Sequence, residues 1–132
     1  MATGTLGSSA RDYHTRQTHY LAKAVTVADV GVNGTVVVGV VPAGAVLKAI
    51  SYGTSVAFNG TTPTLKIGTT PTGAELVAAA TFGAALGQTV STLVATAAGP
   101  MAADTTIYAT GVMGGGQTTG NAVIVVEYFA QP

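Results

Sequence analysis

Five carboxylates, two histidines and a serine in a Gly-Thr-Ser setting are the residues of this chain that could do chemistry. A metal site or an acid–base pair would need several of them at a defined spacing. His14 and His19 are five apart, not the four that puts two imidazoles on one helical face, and Asp12 alone lies nearby. Asp29, Glu75, Asp104 and Glu127 are scattered among turn and strand signals and read as solvated surface. Gly53-Thr-Ser55-Val-Ala57 approaches a nucleophile elbow but lacks its second glycine, and both histidines precede the serine where such hydrolases place theirs after it. Gly115-Gly-Gln-Thr-Thr-Gly120 has the glycine spacing of a phosphate-binding loop. Asn121 stands where that motif needs lysine, and a strand pattern follows where it needs a helix N-terminus. No catalytic, cofactor-binding or metal residue is assigned, and the chain is expected not to be an enzyme.

The elements that would position any site are constrained by composition. At 132 residues the chain is one domain's length, and only 8% of it is charged against 48% hydrophobic. So little charge implies a surface of Thr, Ser and Gly or a surface covered by partners, and the second is expected here. Mean hydropathy is +0.50, yet Asp29, Asn33, Pro42, Lys48 and a series of glycines interrupt every apolar stretch short of the ~20 residues that span a bilayer. No membrane partner is expected. The absence of cysteine removes disulfide frameworks, thiolate catalysis and the commonest zinc sites. The N-terminal residues show neither the basic head nor the apolar core of a secretory signal, so Asn33-Gly-Thr35 and Asn59-Gly-Thr61 read as turns rather than glycosylation sites.

Formal charge is zero in total but uneven. Arg11, Arg16 and Lys23 face only Asp12 within residues 1–23, whereas Lys48 and Lys66 are outnumbered by Asp29, Glu75, Asp104 and Glu127 beyond. An acidic body with three cations in its lead is unsuited to nucleic acid, which is not expected as a partner. Residues 1–20 lack strand alternation and are read as an extended N-terminal arm, with residues 21–132 as the folded domain. The arm is either a solvated terminus or a segment that orders on a neighbouring subunit; in an assembly the two merge. In the second case Tyr13 and Tyr20 are anchors, Arg11 and Arg16 are rim contacts, and His14 and His19 lie beside them.

Extended runs separated by turn signals fill the remainder. They cover Leu21 to Val27, Thr35 to Val41, Ala45 to Phe58 with a bend at Gly53, Thr64 to Gly68, Gln88 to Thr96, Thr105 to Val112 and Ala122 to Phe129; Ala74 to Thr81 is strand or irregular. Asn33-Gly34 is a hairpin signal, and 113–120 reads as a flexible hairpin loop between the last two strands. The expected fold is all-β: an antiparallel β-sandwich of about eight strands, a jelly roll before an immunoglobulin-like arrangement. The run 122–129 is apolar on both faces apart from Glu127, which places it centrally in a sheet or at an oligomer interface.

Four stretches, Val41-Pro-Ala-Gly-Ala-Val-Leu47, Ala57-Phe-Asn-Gly-Thr-Thr-Pro-Thr-Leu-Lys-Ile-Gly68, Ala103-Asp-Thr-Thr-Ile-Tyr-Ala-Thr110 and Ala122-Val-Ile-Val-Val-Glu-Tyr128, resemble the small structural proteins encoded beside the major capsid gene of tailed bacteriophages. The resemblance covers most of residues 35–129 and leaves the arm without a counterpart. It implies a decoration, or cement, protein on the outer surface of the capsid, assembled in the host cytoplasm, with the major capsid protein and further copies of itself as partners in a dimer or trimer. It carries over no catalytic residue and no cofactor. A tail or fibre module whose Thr/Gly loops bind host glycan is the alternative.

Overall fold

The computed structural model describes residues 18–30 and 34–129. Alternation of apolar and small polar residues produces eight strands: β1 (Thr18–Thr26), β2 (Gly34–Val41), β3 (Val46–Val56), β4 (Thr64–Gly68), β5 (Val77–Thr81), β6 (Gly87–Val90), β7 (Thr105–Val112) and β8 (Asn121–Phe129). One helical turn, α1 (Val27–Val30), and a 3-10 turn at Ala95–Ala97 are the remaining regular elements among the described residues. The strands form two four-stranded antiparallel sheets, ordered β1-β8-β3-β6 and β2-β7-β4-β5. Only β4 and β5 are both consecutive and paired; every other consecutive pair divides between the sheets, the wrapping of a jelly roll.

That wrapping corrects two expectations. Gly34 opens β2 in the sheet opposite β1, and residues 113–120 join β7 to β8 across the sandwich, so neither connection is a hairpin. Asn33 lies outside the described residues. Turn chemistry sets where a chain reverses, but the apolar face of each strand decides which sheet it must cover.

The inner faces meet in one core. Val25, Ile50, Tyr52, Ala122, Ile124 and Val126 come from the first sheet, and Val38, Val41, Leu65, Ile67, Ile107 and Ala109 from the second. Phe58, Phe82 and Met113 close one end from loops, with Phe82 4.6 Å from Tyr52 and 4.8 Å from Phe58 between ring centroids. As expected from its composition, β8 is central, flanked by β1 and β3.

Boundaries moved for identifiable reasons. β1 begins at Thr18 rather than Leu21 because β8 continues to Phe129 and gives Thr18, His19 and Tyr20 ladder partners. It ends at Thr26, where Asp29 Oδ2 accepts from the Thr26 amide at 2.9 Å and its hydroxyl at 3.1 Å and turns the chain into α1. Gly53 sits in regular register opposite Val123, and the irregularities of β3 fall on either side, at Leu47/Ala49 and Thr54/Val56. Within 74–81 only Val77–Thr81 is strand, and β6 stops at Val90 where a strand to Thr96 was expected.

Candidate interaction surfaces

Of the six arm residues singled out from sequence, Arg11, Tyr13, His14 and Arg16 lie outside the described residues. His19 and Tyr20 belong to β1, where successive side chains point to opposite faces. His19 is half-buried and stacks on Tyr128 at 5.7 Å, whereas Tyr20 is 69% exposed. The two are components of the sandwich rather than of a free lead.

Tyr20 marks the outer face of the β1-β8-β3-β6 sheet. Register places three cross-strand rows there: Tyr20, Glu127 and Ala49; Ala22, Val125, Ser51 and Val90; Ala24, Val123, Gly53 and Gln88. A Cβ built on Gly53 would meet nothing within 4 Å, so the face is open at that position. Glu127 is the one charged residue in these rows, and Lys48 lies at their end with Nζ 5.7 Å above the Phe129 ring. Rows of mostly small apolar side chains with almost no charge make a surface that gains by being covered.

The opposite face differs in chemistry. Thr35 is exposed there and Thr64, Thr106 and Tyr108 are half-buried, with Val37, Val40 and Val112 exposed and Lys66 as a lone cation in these rows. Thr35 and Thr110 share a hydroxyl–hydroxyl hydrogen bond of 2.9 Å across β2 and β7, satisfying each other within the chain.

Among the described residues the carboxylates do not converge. Asp29 holds the start of α1, and Asp104 accepts from the Ala43 amide at 2.9 Å, pinning the turn before β3. Glu75 accepts from the Thr70 hydroxyl and, at 3.1 Å, from the Thr69 amide, and the Thr70 hydrogen bond is the main cause holding its carboxyl below the ordinary value of 4.5. Gly68 and Gly73 leave the room this latch occupies, because a Cβ on either would lie about 2 Å from Glu75 Oε2. Asp29 and Glu75 are used in local turns, Asp104 ties its loop to the distant turn at Ala43, and Glu127 stands apart on the outer face. Among the described residues no group of three or more His, Cys, Asp or Glu is placed to hold a metal ion, and no helix there is long and apolar enough to cross a membrane.

Residues 113–120, expected to be flexible, are braced. Asn59 Oδ1 accepts from the amides of Thr118 at 2.8 Å and Thr119 at 3.0 Å, while its Nδ2 donates to the Thr118 hydroxyl at 2.8 Å. Thr61 and Thr62 amides donate to the carbonyls of Gly115 and Met113, and Thr119 Oγ1 donates to the Ala57 carbonyl. Met113 is fully buried beneath. A glycan-binding loop would need unspent polar groups and an aromatic platform. Here much of the polar capacity is spent inside the chain, and residues 113–120 contain no aromatic residue.

An indentation lies between the two sheet edges opposite β1 and β2. It is a cleft of about 290 Å³ lined by β5, by residues 89–92 and by Tyr52, Leu65 and Val94, with no charged side chain. The Tyr52 hydroxyl donates to the Thr81 carbonyl at 3.1 Å at one end, and the Val94 amide donates to the Leu76 carbonyl at 2.8 Å near the other. These outer faces and this cleft were missed in sequence because they are made by strands far apart in the chain. Their only local signal is the small-residue alternation of Ala22, Ala24, Val123 and Val125.

Comparison with solved structures finds this architecture again in capsids. The chain superposes on a chain of the capsid of Ralstonia phage GP4 with TM-score 0.62 and 20% identity, covering 89% of this chain and 85% of that one. Its fold is that of phage capsid chains. A chain of the acid-stable capsid of Helicobacter pylori bacteriophage KHP30 gives TM-score 0.61 at 14% identity, covering 86% and 89%. A chain of the cyanophage Pam1 capsid asymmetric unit gives 0.57 at 17%, covering 87% and 84%. At these identities the likeness is one of fold. No family model and no curated protein matches the chain.

Proposed function

We propose that the chain is a structural component of a phage virion, a decoration protein that binds the outside of the head and ties neighbouring major capsid subunits together. The observation that carries this reading is the outer face of the β1-β8-β3-β6 sheet, built mostly of Ala, Val, Ser and Gly with Tyr20 exposed at one edge and Glu127 as the one charge in its rows. The jelly-roll fold shared with chains of three phage capsids supports it. The mechanism is mass action: a protein that binds only the assembled shell lowers the free energy of that shell relative to its disassembled states. Many modest contacts, repeated over the lattice, then suffice. The arm residues Arg11, Tyr13, His14 and Arg16 extend the contact beyond the sandwich, and the protein acts as a dimer or trimer.

The test is Val123→Lys. Val123 is 40% exposed and points outward from the central strand, so a lysine there leaves the core intact and puts an ammonium where a partner surface would strip it of water. Co-sedimentation with purified particles is expected to weaken at least tenfold, about 1.4 kcal/mol, with the melting temperature near that of the parent. Undiminished binding would remove this face from the contact.

A further inference from the structure

Strands β5 and β6 are the outer strands of their sheets on the same side of the sandwich, and the uncharged cleft lies between them. Natural sheets protect such edges with lysine, proline or a covering segment, because an uncovered edge recruits other chains. Val-Ala-Ala-Ala-Thr of β5 and Gly-Gln-Thr-Val of β6 carry neither a charge nor a proline. Ala78, Ala79, Ala80 and Thr81 are exposed, and Val90 beside them is 67% exposed. The cleft is therefore a place where an extended, uncharged segment could add backbone hydrogen bonds along β5 and bury apolar side chains against the exposed Val90 and Val94.

We infer that the cleft receives residues 2–10 of a second copy of this chain as an added strand. Those residues, Ala-Thr-Gly-Thr-Leu-Gly-Ser-Ser-Ala, have no charged side chain and no proline, and Leu6 is their one large apolar residue. The match is one of charge and size, because a cleft with an alanine-lined wall admits small side chains and one anchor. Length permits it. Nine extended residues span up to about 30 Å, more than the roughly 17 Å of a five-residue strand such as β5. Residues 11–17, Arg-Asp-Tyr-His-Thr-Arg-Gln, hold the lead's charges and form the spacer from Thr18, which opens β1 at the sheet edge remote from β6. A copy that lends its lead to a neighbour and receives another in its own cleft is tied into a chain of exchanges, and the exposed edges are covered throughout.

The chain has no cysteine, so single cysteines report the exchange cleanly. Full-length Thr5→Cys and Ala79→Cys proteins are purified separately, mixed at micromolar concentration without particles and oxidised mildly. The expected product is a disulfide-linked pair containing one of each, in at least fivefold excess over pairs of like variants, and reduced at least fivefold when Leu6→Asp is added to the first protein. Ala22→Cys on the opposite edge serves as the control site. Statistical mixing of products, equal linkage to Ala22→Cys, or insensitivity to Leu6→Asp overturns the inference. So does the double variant Thr5→Cys/Ala79→Cys if it closes only within one chain on dilution. Since particles are absent, failure here leaves the particle-binding test of the outer face untouched.

Discussion

Glu75 illustrates what individual polar residues do in this protein. Its carboxylate bonds the Thr69 amide and the Thr70 hydroxyl and so closes the turn between β4 and β5. Because these bonds favour the charged form, the folded-state value lies below 4.5, and the stabilisation is present above the unfolded value and fades as pH falls through the folded one. Glu75→Gln is expected to lower the melting temperature by about 1–3 °C near pH ~7, with the gap to the parent closing in acid. Thermal melts across that range check it; a gap that widens in acid would contradict the assignment. Glu75 had read as solvated surface in sequence. It is exposed, and its role as a latch depended on Thr70 and on two glycines that no spacing rule connects.

At the scale of elements, the connections carry as much structure as the strands. The Asn59-Gly60 turn and the loop 113–120 lie far apart in sequence, yet one asparagine side chain joins them with three hydrogen bonds. Gly60 permits the approach, since a Cβ there would lie 2.1 Å from the Met113 carbonyl oxygen. Asn59→Ala removes all three bonds and leaves two backbone amides short of their acceptor, so a cost of about 1–3 kcal/mol is expected. Denaturant unfolding should show an earlier midpoint with an unchanged slope, and hydrogen exchange should quicken at Thr118 and Thr119. Asn59-Gly60 was legible as a turn from residue type alone. Its partner was not, because the turn bridges the two sheets and the bond depends on how they stack.

For the whole molecule, the proposed division into a lead and a sandwich makes a clear prediction. All nine ladder pairs of β1 with β8 begin at Thr18, so a deletion of residues 2–17 leaves them intact, whereas a deletion through Tyr20 would remove three. The shorter deletion is expected to melt cooperatively near the parent temperature while binding particles at least tenfold more weakly, a loss of about 1.4 kcal/mol. Ordering a lead costs about 1–2 kcal/mol per fixed residue, so it would be held on a partner only where it gains contacts of that order. Sedimentation of the parent at micromolar concentration should show a dimer or trimer. A clean monomer, with particle binding unaffected by the deletion, would confine the contact to the sandwich.

Local chemistry alone determined the all-β class and the bounds of β4 and β7, because period-two alternation and Gly, Pro and Asn turn signals act over a few residues, while the two-sided apolar run 122–129 left a central strand and an oligomer interface both open until the sheet order placed β8 between β1 and β3. The same signals could not say which strands pair. Asn33-Gly34 and 113–120 looked like hairpins, and only the demand that each strand cover an opposing apolar face sent their flanking strands to different sheets. His19 and Tyr20 looked like part of a polar lead until the length of β8 gave them partners. The sparsely charged outer face and the cleft between β5 and β6 were decided by tertiary structure, since each is assembled from segments whose neighbours in space are tens of residues away in sequence.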